Sequence, residues 1–444
     1  MIVFLQFLIG IVYIVFVLLT LDKKEKMIVL NTCNVMKIAF AGIYGILFPT
    51  CSMLTSLGYN TSAMNKYIKE FDLIEVLKYY CIIFLITISF FVAFKFKNES
   101  FALNNDQDEE ENVDTTRYSL FIGIIMLLVG VLSDFLYLRV YGSYENYLNY
   151  SGAIRSGVIS VNNPFSFLIV FRSCISISSY IFLSQIKKEN IFKKVSFILF
   201  CISFILSIRI LYSNRGRVGF VFYFAIIVIY IFKSSRKQKD NYITFKTIRV
   251  GMIFILLLIL GLYLSGVLLK RNSSGSILTQ INKEISFVFA DFIILQENKD
   301  IIDFRHFIDV VLFPIYILPM SFWSSKLGIT TASSDLTLLA TGFRKGEGGV
   351  YGEMPIDLVS LSYIQVGILG IFVIPMVYAW IYSFVLKRVD KIKDCNIREV
   401  IKLYTIINIG IEPILYADPQ HIIYGSFSFI VFLMIDAVLS KIKI

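Results

Sequence analysis

The stretch MIVFLQFLIGIVYIVFVLL, residues 1–19, decides the fold. It contains no charge, and a helix of ~20 mostly apolar residues is what crosses a hydrocarbon core of ~30 Å. The segment LDKKEK follows it rather than precedes it, and neither a basic n-region nor a small-residue cleavage site accompanies it. The reading is therefore a retained span and not a removed signal peptide. The same pattern continues along the chain. Of 444 residues 57% are apolar and 17% are charged, against about 25% charged in soluble domains. That imbalance excludes an ordinary cytosolic enzyme and supplies about ten or eleven spans with little left for a soluble core.

Apolar windows predict an all-α, polytopic transmembrane helical bundle of about eleven spans, near 2–21, 30–50, 76–95, 118–138, 164–184, 195–212, 218–233, 249–269, 361–386, 402–417 and 422–440. The whole chain, 1–444, reads as one integral-membrane domain, with a long, partly helical outer loop over 270–360. The net charge of +10 is first read as topology, since Lys and Arg near the spans set orientation. One set of alternate loops carries 24 basic residues in 76 positions and the other 14 in 152. The denser set is expected in the cytoplasm, which places the N-terminus outside and the C-terminus inside. The apolar segment 306–323 carries Pro314 and Pro319, and a crossing there would send the basic 387–403 loop outward. An interfacial or re-entrant segment is expected instead. The acidic run at 106–114 reads as a solvated loop.

The six cysteines show no CxxC spacing and mostly fall in apolar runs, so neither a disulfide framework nor a zinc site is indicated. With His306 and His421 as the only histidines, no metal and no cofactor is expected. Nucleic acid is not an expected partner; the bilayer is.

The informative charges are those that topology does not explain. Arg172 and Arg209 fall in the outer halves of the fifth and sixth spans, and Asp134 and Glu412 sit at similar depth in the fourth and tenth. The tight hairpin SNRGRVG puts Arg215 and Arg217 on the outer side around Gly216, a guanidinium fork suited to phosphate oxygens. A purely structural reading pairs Arg172 and Arg209 with Asp134 and Glu412; the functional reading makes the four arginines a cationic cluster for an anionic ligand. The outer loop adds Arg271, Arg305 and Arg344. His306, beside Arg305, is a candidate general base, because its ordinary pKa lies near neutrality, and Glu353 in the Gly-rich stretch is a second. His421 follows Asp418 and Pro419 and reads as the start of a helix.

SNRGR in a short outer hairpin, followed by a long outer loop that ends in a Gly-rich stretch with Pro355, Tyr363, Gly367 and Gly370, resembles the O-antigen polymerase or oligosaccharide repeat-unit polymerase family. The resemblance implies a metal-independent membrane glycosyltransferase on the outer face of a bacterial inner membrane. Its substrates would be glycans linked to polyprenyl diphosphate, joined as blocks into O-antigen, capsule or another surface polysaccharide. Catalytic roles would fall to His306, Glu353 and Arg215, and diphosphate binding to Arg172, Arg209, Arg215, Arg217, Arg305 and Arg344. A chain-length regulator is an implied partner. The rival readings are an O-antigen ligase-type transferase and a lipid-linked glycan flippase or secondary transporter; the shallow, one-sided buried charges argue against the transporter.

Overall fold

The computed structural model describes residues 2–24, 27–28, 31–59, 67–68, 72–97, 113–155, 159, 163–186, 192–214, 217–234, 276–300, 303–318 and 321–440. The expected eighth span, Arg215, Arg271, Pro319 and the side chain of Arg217 lie outside the described residues. What is described is a helical bundle with eight helices long and apolar enough to cross a membrane.

Helix α1 (Ile2–Leu19) fully buries only Gln6, Gly10, Tyr13 and Val17, a stripe at steps of three and four residues, and leaves a face with Phe4, Leu8, Ile11, Val15 and Leu19 outward. Such a helix is held by its narrow packed face while lipid accepts the rest. The stripe meets the second span, where a Cβ on Gly10 would lie 2.6 Å from the carbonyl oxygen of Gly45. Only glycine permits this approach. A two-residue antiparallel pair, β1 (Lys23–Lys24) with β2 (Met27–Ile28), then turns the chain.

The second span is α2 (Thr32–Phe40), a π-helical turn over Ala41–Leu47, and α3 (Phe48–Ser56). It runs further than the expected 30–50, because the π-turn carries the helix on into α3, where Pro49 has no amide to offer the turn before it. The Tyr80 hydroxyl donates to the Tyr44 carbonyl at 3.2 Å, so a carbonyl in the π-turn gains a partner inside the bundle. Lys37, a charge within this span, reaches the Thr20 carbonyl and Asp22 just past the end of α1.

Helices α4 (Leu73–Lys97), α5 (Val113–Arg139), α6 (Tyr144–Arg155), α7 (Cys174–Ile186), α8 (Lys193–Asn214) and α9 (Arg217–Ser234) follow. The fifth span opens with a 3-10 segment, Ser166–Ser173, before α7, so Arg172 sits in a tighter coil than an α-helical reading assumes. α10 (Ile277–Glu297) is buried from Val288 to Leu295 and packs on α3. The segment 306–326 consists of short pieces: α11 (Ile308–Val311), a 3-10 turn (Ile315–Ile317) and a π-turn (Ser321–Lys326). α12 (Ala332–Thr341) ends at Gly342 with φ 75°, a left-handed cap.

The expected ninth span, 361–386, is two helices. α13 (Leu358–Val366) stops at Gly367, whose φ of 60° and ψ of −132° turn the chain sharply, and α14 (Ile368–Val389) crosses alone. The expected tenth span, 402–417, falls on α15 (Cys395–Tyr404), a second π-turn (Thr405–Ile411) and α16 (Glu412–Leu415), which are not among the eight long apolar helices; α17 (Pro419–Leu439), which is, closes the bundle. Here too a tyrosine repairs the π-turn, with the Tyr378 hydroxyl 2.6 Å from the carbonyls of Ile409 and Gly410.

Candidate functional site

Two ends of the bundle can be told apart. At one, Asp394 caps α15 and accepts from Ser119 and Gln185, and Tyr118 donates to Asp436. The other, here the loop end, holds Asp134 and the short helices α11 and α12. Phe171 and Phe427 stack edge-on there with ring centres 4.7 Å apart. Phe427 lies nine residues along α17 from Asp418, about 13 Å of helix, and Asp418 accepts from the backbone amide of Ser333. This joins the Asp134 region to α12.

Asp134 answers two guanidiniums. Arg172 Nε donates to its Oδ1 across 2.7 Å and Arg209 Nη2 donates to its Oδ2. Arg172 also donates to the hydroxyls of Tyr147 and Ser213 at 3.3 and 3.2 Å, and its guanidinium lies 4.9 Å from the Tyr137 ring centre. It is 1% exposed, whereas Arg209 is 36% exposed, stacks on Tyr144 at 4.8 Å and has a buried Nε without an acceptor. The purely structural reading thus holds for Arg172, Arg209 and Asp134, but not for Glu412, which faces His421 at 3.0 Å. One carboxylate against two guanidiniums leaves a local excess of one positive charge.

Arg305 and Arg344 meet elsewhere, at Asp335. Arg305 donates from Nε and Nη2 to Asp309 at 2.5 and 2.8 Å, from Nη1 to Asp335 and the Thr330 hydroxyl, and from Nη2 to the Thr330 carbonyl at 2.6 Å. All five guanidinium donors are thus used. Burial alone would lower the Arg305 pKa, but the bonds to Asp309 and the charges of Asp309 and Asp335 outweigh it and hold the cation. Asp309 is further fixed by Tyr316 at 3.0 Å and Gln365 at 2.7 Å. Arg305 is a strut in this arrangement. Arg344, about half exposed, keeps donors to spare.

His306 is exposed, and its backbone amide donates to Gln365 at 2.8 Å, which docks its loop on the α13–α14 elbow. His306 and Phe307 both adopt left-handed φ, 49° and 62°. Non-glycine residues pay about 1 kcal/mol or more each for this, so the surrounding contacts impose the turn.

Glu353 follows a glycine-shaped loop in which Gly346 donates to Val350 and Val350 to Glu347, both at 2.8 Å. Met354, the next residue, donates from its backbone amide to Thr337 at 2.8 Å. The Glu353 carboxyl is half-buried, and burial raises its pKa; Lys345 opposes the rise and Asp418 adds to it. A carboxyl poised above its ordinary range is a stronger base once ionised.

Two acids went unnoticed in the sequence. Asp357 is fully buried and caps α13, accepting from the Ser360 amide at 2.8 Å and the Tyr44 hydroxyl at 3.3 Å. Burial pushes its pKa up to about 6, against the lowering pull of Ser360, Val359 and Tyr44. Asp291 in α10 is fully buried as well. The signals were present as a lone acid in VFADFIILQ and as the capping spacing of Asp357 with Ser360. Among the described residues, no three His, Cys, Asp or Glu side chains gather as a metal site.

Compared with protein-family models, curated proteins and solved structures, the chain matches none.

Proposed function

We propose that the chain is a membrane glycosyltransferase that joins oligosaccharide repeat units carried on polyprenyl diphosphate into a surface polysaccharide. It would work on the outer face of a bacterial cytoplasmic membrane, with the N-terminus and the loop end outside. The observation that carries this reading is the unbalanced charge at Asp134: two guanidiniums share one carboxylate, and the partly exposed Arg209 lies in the helix that leads into the Arg215–Arg217 hairpin. Fixed cationic donors at that depth suit the diphosphate of a carrier whose tail lies in lipid.

The reaction asks for two things from the protein. An acceptor sugar hydroxyl gives its proton to a base while its oxygen attacks the anomeric carbon of the donor. The bond from that carbon to the diphosphate oxygen breaks, and the electron pair leaves with the diphosphate. Glu353 is the better-supported base, because its carboxyl is half-buried and raised; His306, on the docked loop, is the other. Arg209, Arg215 and Arg217 would stabilise the charge that builds on the leaving group, with Arg344 at the loop side. Arg172 would act through Asp134 and Arg305 through the loop fold.

Reconstitution tests this directly. Purified protein in liposomes is given lipid-linked repeat units, and products are sized on a gel. Longer glycans with release of free carrier diphosphate support the proposal. Transfer to an unrelated acceptor without chain growth would favour a ligase, and movement across the bilayer without new glycosidic bonds overturns transfer altogether.

A further inference from the structure

The sealed stretch of α10, Val288–Leu295, carries Asp291 among apolar neighbours. Phe289 lies against Phe48 and Phe292 against Tyr79, each pair with ring centres 5.1 Å apart, so water has no route along the helix faces they cover. Asp291 is 0% exposed, and neither of its oxygens meets a hydrogen-bond donor in bonding geometry. The groups that act on it are the carboxyl of Asp357, which repels its charge, and the backbone amide of Asp357, which faces it and favours the charge in part. Tyr79 of α4 faces both acids, and Tyr44 of the π-turn faces and donates to Asp357. No Lys, Arg or His among the described residues is a counter-charge to Asp291.

Asp357 and Asp291 are therefore unlike. Asp357 has its donors, whereas neither oxygen of Asp291 is in a hydrogen bond and the Asp357 carboxyl repels its charge. Two ionised carboxylates in a dry site without a cation are not sustained; one must be neutralised. The geometry points to a binding site for one monovalent cation between Asp291 and Asp357, either a proton held by the pair or an alkali-metal ion in its place. Both supply one positive charge to the same oxygens. The available donors, the Asp291 and Asp357 carboxyls and the Tyr44 hydroxyl, are all oxygen, which suits either occupant. The site joins α10 and the start of α13 to the π-turn of the second span, so its occupancy ties the loop end to the spans. It does not depend on the glycosyl-transfer reading.

The experiment is thermal unfolding of the full-length protein in nanodiscs, from about pH 5 to about pH 8, in sodium, potassium or choline chloride at equal ionic strength. Wild type is compared with Asp291→Asn, which keeps the shape and removes the charge. If a proton is held, the wild-type unfolding temperature falls by several degrees as pH rises, alike in all three salts, because the folded state keeps a proton that the unfolded chain has lost. Asp291→Asn flattens that slope. If an alkali-metal ion is held, sodium or potassium raises the wild-type temperature over choline at the alkaline end, and Asp291→Asn abolishes the difference. Wild type and Asp291→Asn with the same pH slope and the same salt response overturn the site. Should the variant not accumulate, wild type alone decides. Either a protonated-carboxyl infrared band that shifts in heavy water or an alkali-metal stabilisation must be seen, and the absence of both overturns the site.

Discussion

Arg172 donates from Nε to Oδ1 of Asp134 across 2.7 Å, and the two side chains are 1% and 6% exposed. Removing one partner of such a pair leaves the other charge buried without its counter-ion, a loss of roughly 3–5 kcal/mol. Asp134→Ala is therefore expected to lower the unfolding temperature strongly, because Tyr147 and Ser213 offer Arg172 only neutral oxygens. Arg209→Ala removes a side chain that is about one-third exposed and should cost far less stability. Its effect should appear in binding of a lipid diphosphate, read by competition in liposomes. Equal stability losses for the two variants would contradict this division of roles.

Arg305 holds Asp309, Asp335 and Thr330 at once, which a point charge on a flexible stem cannot reproduce. Arg305→Lys is expected to loosen the segment 303–345 while the spans stay folded. Limited proteolysis of the membrane-inserted protein should show faster cleavage in that segment, with the unfolding temperature of the bundle little changed. Cleavage at the wild-type rate would show that Lys suffices.

How much of this was legible depends on the range of the interaction. α1 could be read because no residue from 2 to 19 is charged and nearly all are apolar, and the structural pairing of Arg172 and Arg209 with Asp134 followed from their shared place in the outer halves of their spans. Glu412 had the right depth and a different partner, because the return turn at 416–418 sets His421 beside it. The break at Gly367 was hidden in an apolar run: a glycine there reads as a tolerated helix residue until its φ of 60° is known. Asp291 and the α13 cap Asp357 are far apart in sequence, and no periodicity within either helix announces that the charge of one acts on the other.

The elbow at Gly367 depends on a close approach further on. A Cβ on Gly370 would lie 1.9 Å from the carbonyl oxygen of Ser362, a backbone atom that cannot swing aside. Gly370→Ala should cost at least roughly 1–3 kcal/mol, the range of overpacking, and separate α13 from α14. Gly425→Ala is the control, since nothing lies within 4 Å of its Cβ position. A helical Gly→Ala change in open space should be neutral or slightly stabilising. Thermal unfolding of the two variants in the same detergent gives the comparison, and similar midpoints would refute the elbow argument.

Glu353 makes the sharpest claim about chemistry, because its pKa is raised by burial, opposed by Lys345 and reinforced by Asp418. As the base it must be ionised, so the rate should rise with pH through its pKa, on a limb above the ordinary Glu value of about 4.3. Glu353→Gln should lower turnover roughly a hundred- to ten-thousand-fold, the usual worth of general-base catalysis, with normal accumulation of the protein. Lys345→Met removes the cation that favours the carboxylate, so the Glu353 pKa rises further and the limb moves to higher pH. A merely structural Glu353 has no reason to shift that limb. A rate–pH profile of liposome-reconstituted protein that is the same for wild type and Lys345→Met would take the base role from Glu353 and leave His306 as the candidate.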